Sequence, residues 1–181
     1  IYIGHIPGIG SMALTGVGIA LPVISILSAF AGLFGQGGAP LCSMARGRGD
    51  GDEASRVMGN AFSMLLVSSV ALGLLTWAFL DPAVEVFGAG EEASGYAREY
   101  LAVYLIGTTF SFVSLGMNVY INAQGFATRG MLTVLLGAVS NIVLDPIFIF
   151  AFGMGVRGAA VVESACFLRP AGLFALGQLG Y

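Results

Sequence analysis

The stretch MLTVLLGAVSNIVLDPIFIFAF, residues 131–152, is long and apolar enough to cross a bilayer as a single helix. Its strongly polar side chains are Asn141 and Asp145, and Pro146 follows the acid directly. A carboxylate at the centre of such a helix costs about 2.5–3.5 kcal/mol on insertion scales, so an acid kept there is a functional residue by default. The stretch therefore predicts a membrane fold and a site within it.

The whole chain has the composition of a membrane protein. Of its 181 residues, 57% are hydrophobic and 9% are charged, against about 45–50% and about 25% in soluble domains, and the mean hydropathy is +0.91. A membrane-spanning helix takes about 20 apolar residues, which leaves room for five or six spans and for no sizeable soluble domain. We therefore predict one all-α integral membrane domain, 1–181, built as a polytopic helical bundle.

Four apolar segments are long enough to span the membrane, and the 28 glycines of the chain allow helices to approach closely. The four segments are Met12 to Met44, Val57 to Leu80, Tyr100 to Ile121 and Met131 to Phe152. A fifth candidate begins near Gly158, but it carries Glu163, Arg169 and Pro170. Such residues are tolerated at membrane depth only where protein or water covers them, so this segment is a doubtful span.

The charges of the connecting segments orient the predicted spans. Arginines lie in 45–57 and 122–130, whereas the segment 81–99 is acidic. The positive-inside rule places the first two on the cytoplasmic side of a plasma (cell inner) membrane, and the two spans between them agree with that placement. With a net charge of −3 and no lysine, the chain lacks the clustered basic surface that a nucleic-acid partner requires.

The candidate site lies on one face of the helix that contains Asp145. Gly137, Asn141 and Asp145 are spaced four residues apart and therefore share a helical face. Pro146 has no N–H and crowds the carbonyl of Ile142, so we predict a bend there and a carbonyl oxygen without its helical partner. A shielded acid, an amide and a carbonyl oxygen suit the binding of a proton or of Na⁺.

Other interpretations of these polar residues are open. Asp145 is alternatively a protonated acid that hydrogen-bonds another helix for stability. Thr108 and Asn118 are possible cavity-lining residues, although single polar residues in spans more often hold helices together. Cys42 and Cys166 are predicted to be small buried residues. No metal site, catalytic residue or cofactor beyond the coupling ion is predicted.

The order of four segments resembles the amino-terminal half of the multidrug and toxic compound extrusion (MATE) transporters. The segments are IYIGHIPG (1–8), GRGDGDEASRVMGNAFSMLL (47–66), YAREYLAVYLIGTTFSFVSLGMNVYINAQGF (96–126) and MLTVLLGAVSNIVLDPIFIFAFGMGVRGAA (131–160). The most specific parts are NIVLDPIFIF and INAQGFATRGML. The resemblance runs from Ile1 to about Val162, and the chain opens without an initiator Met, so we expect a fragment.

The resemblance implies a transporter of two six-helix lobes that exchanges H⁺ or Na⁺ for organic cations by alternating access. This chain then corresponds to part of the first lobe, from the tail of helix one to the start of helix six, and the carboxy-terminal lobe is missing. Carried over by motif, Asp145 and Asn141 are the acid and amide of the family's amino-lobe cation site. The other acid of that site would stand two positions before Ile1, outside this sequence.

The end of the chain departs from the family pattern. After GMGVRGAA the family usually continues with a small residue and a Thr, whereas this chain continues VVESACFLRPAGLFALGQLGY, with Glu163 in the place of the Thr. We therefore treat 1–162 as family-like and 163–181 as an atypical tail. The alternative to an atypical tail is that Glu163 and Arg169, six positions apart, form an ion pair with each other.

These patterns predict a cation-coupled antiporter, not an enzyme, that exports organic cations or drugs. Its expected partners are those small molecules, the lipid bilayer and the missing lobe. Two alternatives stay open: a lipid-linked sugar flippase of related fold and a non-transporting membrane assembly subunit. The flippase is disfavoured because its cavity is expected to carry several cationic residues, and these spans carry almost none.

Overall fold

The computed structural model describes residues 2–5, 10–86, 91–164 and 166. Within the described residues, a short 3₁₀ helix, Tyr2–His5, precedes six α-helices and one π-helical turn. The helices are α1 (Gly10–Gly47), α2 (Gly51–Ala78), α3 (Leu80–Val86), α4 (Glu91–Ala123), α5 (Ala127–Pro146) and α6 (155–164), and a π-helical turn, Ile147–Ala151, continues α5.

Four helices of the described chain are long and apolar enough to cross a membrane. They are α1, α2, most of α4, and α5 together with its π-helical turn. The four predicted spans lie in these helices, so the prediction of an all-α polytopic bundle is confirmed. Of the doubtful fifth span the described residues contain only α6 and Cys166. Arg169, Pro170 and most of the predicted tail lie outside them.

The two arginine-containing connections are tight turns at one end of the bundle. Between α1 and α2 the chain reverses at Gly49, whose φ of +78° favours glycine, and the Asp50 carboxylate caps α2 by accepting from the Glu53 N–H at 2.9 Å. Gly125, with a φ of +88°, takes the same part between α4 and α5.

Hydrogen bonds join these two turns to each other. Ser43 Oγ donates to the carbonyl of Ala123 at 3.0 Å, and Arg46 Nη1 donates to Gln124 Oε1 at 2.9 Å. At the other end, ion pairs of 2.9 Å link Arg98 with Asp81 and Arg157 with Glu99. The segments 45–57 and 122–130 therefore lie on the same side of the bundle, as predicted.

Helix α4 forms the centre of the packing. In its most apolar stretch 67% of the residues are buried, against 28% for α1, 17% for α2 and 6% for α5. Helix α1 makes the most extensive contact with it. At one close approach of the two helices, Gly35 of α1 lies against the backbone of Gly116, and a Cβ at Gly35 would stand 2.9 Å from the Gly116 oxygen.

Helix α5 packs beside α4 along one face only. Its opposite side exposes large apolar side chains, as a lipid-facing surface does. These residues are Leu132, Leu135, Val139, Ile142 and Val143. The polar face that contains Asn141 and Asp145 is thereby turned toward the bundle.

Candidate functional site

A cavity of about 600 Å³ opens between α4, α5 and α6, and we call it the acidic cavity. Its volume is within the range of small-molecule sites in proteins. Most of its wall is apolar, and its polar side chains come from all three helices. They are Tyr100, Ser114 and Asn118 of α4, Thr133, Asn141 and Asp145 of α5, and Glu163 of α6.

Helix α5 places the predicted stripe on the wall of this cavity. Gly137, Asn141 and Asp145 all line it, because residues four apart in a helix lie one above another. Gly137 leaves space, since a Cβ added there would be 3.9 Å from its nearest neighbour, the carbonyl oxygen of Cys166. Gly137, Asn141 and Asp145 thus form one continuous surface of the cavity wall, with the acid at one end.

The carboxylate of Asp145 is the unusual group in this surface. The residue is only partly buried, yet its Oδ1 atom is shielded from solvent and has no hydrogen-bond partner within the described residues. Buried polar atoms in native proteins nearly always have a partner. An unpaired carboxylate oxygen at a cavity wall is therefore an available acceptor for a cation or for a proton.

Pro146 follows Asp145 at the point where the α-helix changes its hydrogen bonding. Its φ and ψ, −62° and −30°, are helical, and the π-helical turn Ile147–Ala151 begins with the next residue. A proline supplies no N–H to the helix, and single π-turns occur often at functional sites. The bend at Pro146 stays a prediction.

Glu163 is the residue of this site that the sequence assigned only to an atypical tail or to an ion pair with Arg169. It lies in the acidic cavity, and its carboxylate accepts a hydrogen bond from the hydroxyl of Tyr100. The proposed ion pair with Arg169 cannot be described, because Arg169 lies outside the described residues. The signal in the sequence was an acid in an apolar segment, at the position where the family resemblance implies a Thr.

Asn118 connects the cavity wall to the packing of α5. Its Nδ2 donates to Thr133 Oγ1 at 2.9 Å and to the carbonyl of Gly130 at 3.2 Å. Thr133 in turn donates to that carbonyl at 2.7 Å. Asn118 lines the cavity, while its amide nitrogen holds α4 against α5.

Of the remaining residues, Thr108 and Cys42 lie outside the acidic cavity, whereas Cys166 lines it. Thr108 is 1% exposed and donates to the carbonyl of Tyr104 at 3.2 Å, so it is placed in the core of the bundle and not at the cavity wall. Cys42 and Cys166 are both buried, as predicted. Within the described ranges no group of three or more His, Cys, Asp or Glu residues is placed to hold a metal ion.

The charges around the site are unequal. The acidic cavity contains two carboxylates, Asp145 and Glu163, and no arginine, lysine or histidine lines it within the described residues. Arg98 and Arg157 are held in ion pairs near one end of the bundle, and Arg46 is hydrogen-bonded at the other. This combination defines a polytopic membrane protein with a cavity suited to cations.

Comparison with known proteins gives the family. The family model for MatE matches residues 1–147, and the chain therefore belongs to the MATE family. This membership confirms the resemblance found in the sequence, and the family is one of transporters rather than enzymes.

Curated relatives of the chain are multidrug exporters. The chain is 29% identical over 164 residues to multidrug export protein MepA of Staphylococcus haemolyticus (strain JCSC1435), which covers 91% of this chain and 36% of the relative. It is 30% identical over 155 residues to multidrug export protein MepA of Staphylococcus aureus (strain NCTC 8325 / PS 47), covering 83% and 34%. The chain thus spans about a third of the length of these relatives.

Solved structures of the family share the fold. One is an inward-facing multidrug resistance MATE family transporter of the MOP superfamily, at a TM-score of 0.89 and 29% identity, over 94% of this chain and 39% of that one. An outward-facing structure with the same description has a TM-score of 0.89 at 28% identity, over 98% and 39%. MATE in complex with MaD3S has a TM-score of 0.87 at 31% identity, over 96% and 39%.

Proposed function

We propose that this chain is part of the amino-terminal lobe of a cation-coupled antiporter that exports organic cations or drugs by alternating access. The observation that carries the proposal is Asp145. Its Oδ1 atom is shielded and unpartnered within the described chain, at the wall of a cavity that carries no described basic side chain. Intramembrane acids in such positions are typical of ion and proton pathways.

The coupling ion, H⁺ or Na⁺, binds at Asp145 in this mechanism. Asn141 lies one turn earlier on the same face and supplies an amide oxygen, which is a suitable Na⁺ ligand. Binding of the ion removes the unpaired charge from the cavity, and the helix bends at Pro146, where the α-helical hydrogen bonding already changes. The cavity then changes shape, and the substrate leaves.

The substrate in this proposal is a small organic cation or drug. An apolar wall with one or two carboxylates matches an amphiphilic cation, because the wall buries its apolar surface and the acids compensate its charge. Relatives named as multidrug export proteins support the same class.

Alternating access requires a second lobe against which this one moves. The chain covers 36% of the Staphylococcus haemolyticus relative, so the remainder of a complete transporter would supply that lobe. The chain has the same TM-score of 0.89 against an inward-facing and an outward-facing structure. Those equal scores support the proposal, because the fold of this bundle is compatible with both states of alternating access. We place it in the plasma membrane with the segments 45–57 and 122–130 on the cytoplasmic side.

Substitution of the acid tests the proposal in the complete transporter. Purified transporter is reconstituted in proteoliposomes, and transport of a fluorescent organic cation is followed under an imposed H⁺ or Na⁺ gradient. We expect D145N to abolish the gradient dependence, because the amide cannot hold a proton or an ionic charge. The matched control is E99Q, which removes an acid that is paired with Arg157 outside the cavity. Gradient-driven transport by D145N at the level of the wild type would contradict the proposal.

The two alternative functions are less well supported. A flippase for lipid-linked sugars needs cationic residues for a pyrophosphate, and the described wall of the acidic cavity has none. A membrane assembly subunit would pair Asp145 with a basic residue of a partner helix. The D145N variant also distinguishes the membrane assembly subunit. If the wild type shows no transport and D145N no longer assembles with its partner, the subunit is favoured.

A further inference from the structure

We propose that Glu163 is a second carboxylate of the coupling-ion site and that Tyr100 is its positioning residue. In this arrangement Asp145 of α5 and Glu163 of α6 face the same cation across the acidic cavity. The inference rests on the proposed function, because it assigns a further residue to the same site. It goes beyond that function in naming a ligand on a different helix.

The position of Glu163 is fixed by packing between α4 and α6. Glu163 is only partly exposed, and its carboxylate accepts the hydroxyl proton of Tyr100. Tyr100 is 5% exposed, and its ring stacks on that of Tyr104 with centroids 6.2 Å apart. About two turns beyond Tyr100, α4 meets α6 at Gly107 and Ser164, where a Cβ on the glycine would collide with the serine. The Glu163 carboxylate is thus held by the hydroxyl of Tyr100, whose ring is packed against that of Tyr104.

The hydrogen bond from Tyr100 leaves Glu163 able to bind a cation. A carboxylate has about four acceptor positions on two oxygens, and the tyrosine occupies one of them. The described residues offer no arginine or lysine to satisfy the remaining acceptors of Glu163 within the cavity.

The two acids interact unfavourably unless something positive lies between them. Asp145 and Glu163 are close enough to interact electrostatically, and both line the same cavity. Two like charges that share a poorly solvated site cannot both stay ionised without a counter-ion or a proton. The unpartnered Oδ1 of Asp145 is a separate observation, because it leaves an available acceptor at the same position. One monovalent cation, Na⁺ or H⁺, satisfies both observations.

The test measures cation affinity in the complete transporter in proteoliposomes. Transport of a fluorescent organic cation is recorded against Na⁺ concentration at fixed pH, and against pH without Na⁺, to distinguish the two cations. For E163Q we expect the half-maximal concentration of the coupling cation to rise about tenfold, with the maximal rate nearly unchanged, because a charged ligand is lost while the cavity keeps its shape. E163D should recover part of the affinity.

A second variant and a control separate this role from a structural one. Y100F keeps the acid but removes its positioning hydroxyl, so it should weaken cation affinity less than E163Q does. E99Q removes an acid from the residue next to Tyr100, outside the cavity, and should leave the affinity unchanged. If E163Q does not insert or fold, the neutral variant E163M takes its place, and wild-type affinity in both E163M and Y100F would overturn the proposal.

Two results would contradict the inference. Wild-type cation affinity in E163Q, with D145N inactive, would remove Glu163 from the site and leave the proposed function intact. Equal losses in E163Q and R169Q, with recovery in the charge-exchanged pair E163R/R169E, would assign Glu163 to an ion pair instead. Loss of the proposed function itself has a different signature, because D145N would then transport like the wild type.

Discussion

Asp145 differs from several other acids of the described chain in forming no ion pair with a described arginine. Glu53, Asp81 and Glu99 form ion pairs with arginines at 2.7–2.9 Å, and all three lie near the ends of helices. Exposed pairs of this kind contribute little to stability. Asp145 instead lies within a span with a shielded oxygen. Function, and not pairing, is therefore the better explanation for an acid at this position.

Some positions and contacts of individual residues could be predicted from the sequence, and others could not. The stripe of Gly137, Asn141 and Asp145 was predictable, because residues four apart share a helical face whatever packs against it. The contact between Tyr100 and Glu163 was not, because it joins residues 63 positions apart and depends on how two helices pack. The position of Thr108 in the core likewise depends on how the helices pack, so it could not be predicted from the sequence.

Asn118 gives a prediction that separates structural from functional polar residues. Its amide nitrogen bonds Thr133 and the carbonyl of Gly130, so N118A should lower the stability of the bundle by about 0.6–2 kcal/mol without changing cation affinity. Thermal unfolding in detergent measures the first effect and transport in proteoliposomes the second. N60A, at an exposed position of α2, is the control. A tenfold change in cation affinity in N118A would instead make Asn118 a ligand.

At the scale of the helices, hydropathy predicts spans but not their neighbours. All four spans were found from apolar length. The helix α4 is the most buried of them, yet its apolar residues show no preferred face, because it is surrounded by other helices. The short helix Leu80–Val86 and the π-helical turn after Pro146 were missed, since neither has a distinct hydropathy pattern.

Glycine spacing provides the test at this scale. A Cβ at Gly35 would lie 2.9 Å from the Gly116 oxygen, whereas a Cβ at Gly37 has open space around it. G35A should therefore force α1 away from α4 and lower stability by about 1–3 kcal/mol, as overpacking does. G37A should be neutral or stabilising, because alanine is the better helix former. Thermal unfolding of the two variants in the same detergent compares them, and equal stability would contradict the close packing.

At the scale of the whole molecule, the bundle has two ends with different chemistry. At one end, hydrogen bonds join the two arginine-containing turns. At the other end, Asp81 forms an ion pair with Arg98, and Glu99 forms one with Arg157. That the turns share an end follows from geometry, whereas the positive-inside rule assigns that end to the cytoplasm.

Labelling of single cysteines in intact cells checks this orientation. Asp52 and Glu85 are both exposed, near opposite ends of the bundle, and the native cysteines are first replaced by alanine. We expect a membrane-impermeant maleimide to label E85C in intact cells and to label D52C only after the cells are opened. The reverse pattern would place the arginine-containing turns outside.

The central claim is that Asp145 carries the coupling ion, and ion movement tests it most directly. Proteoliposomes that contain the complete transporter are loaded with an organic cation, and the flux of Na⁺ or H⁺ that accompanies its exchange is recorded with a tracer or a pH-sensitive dye. The wild type and E99Q should show a substrate-dependent ion flux, and D145N should show none. An undiminished flux in D145N would contradict the assignment of the ion to Asp145.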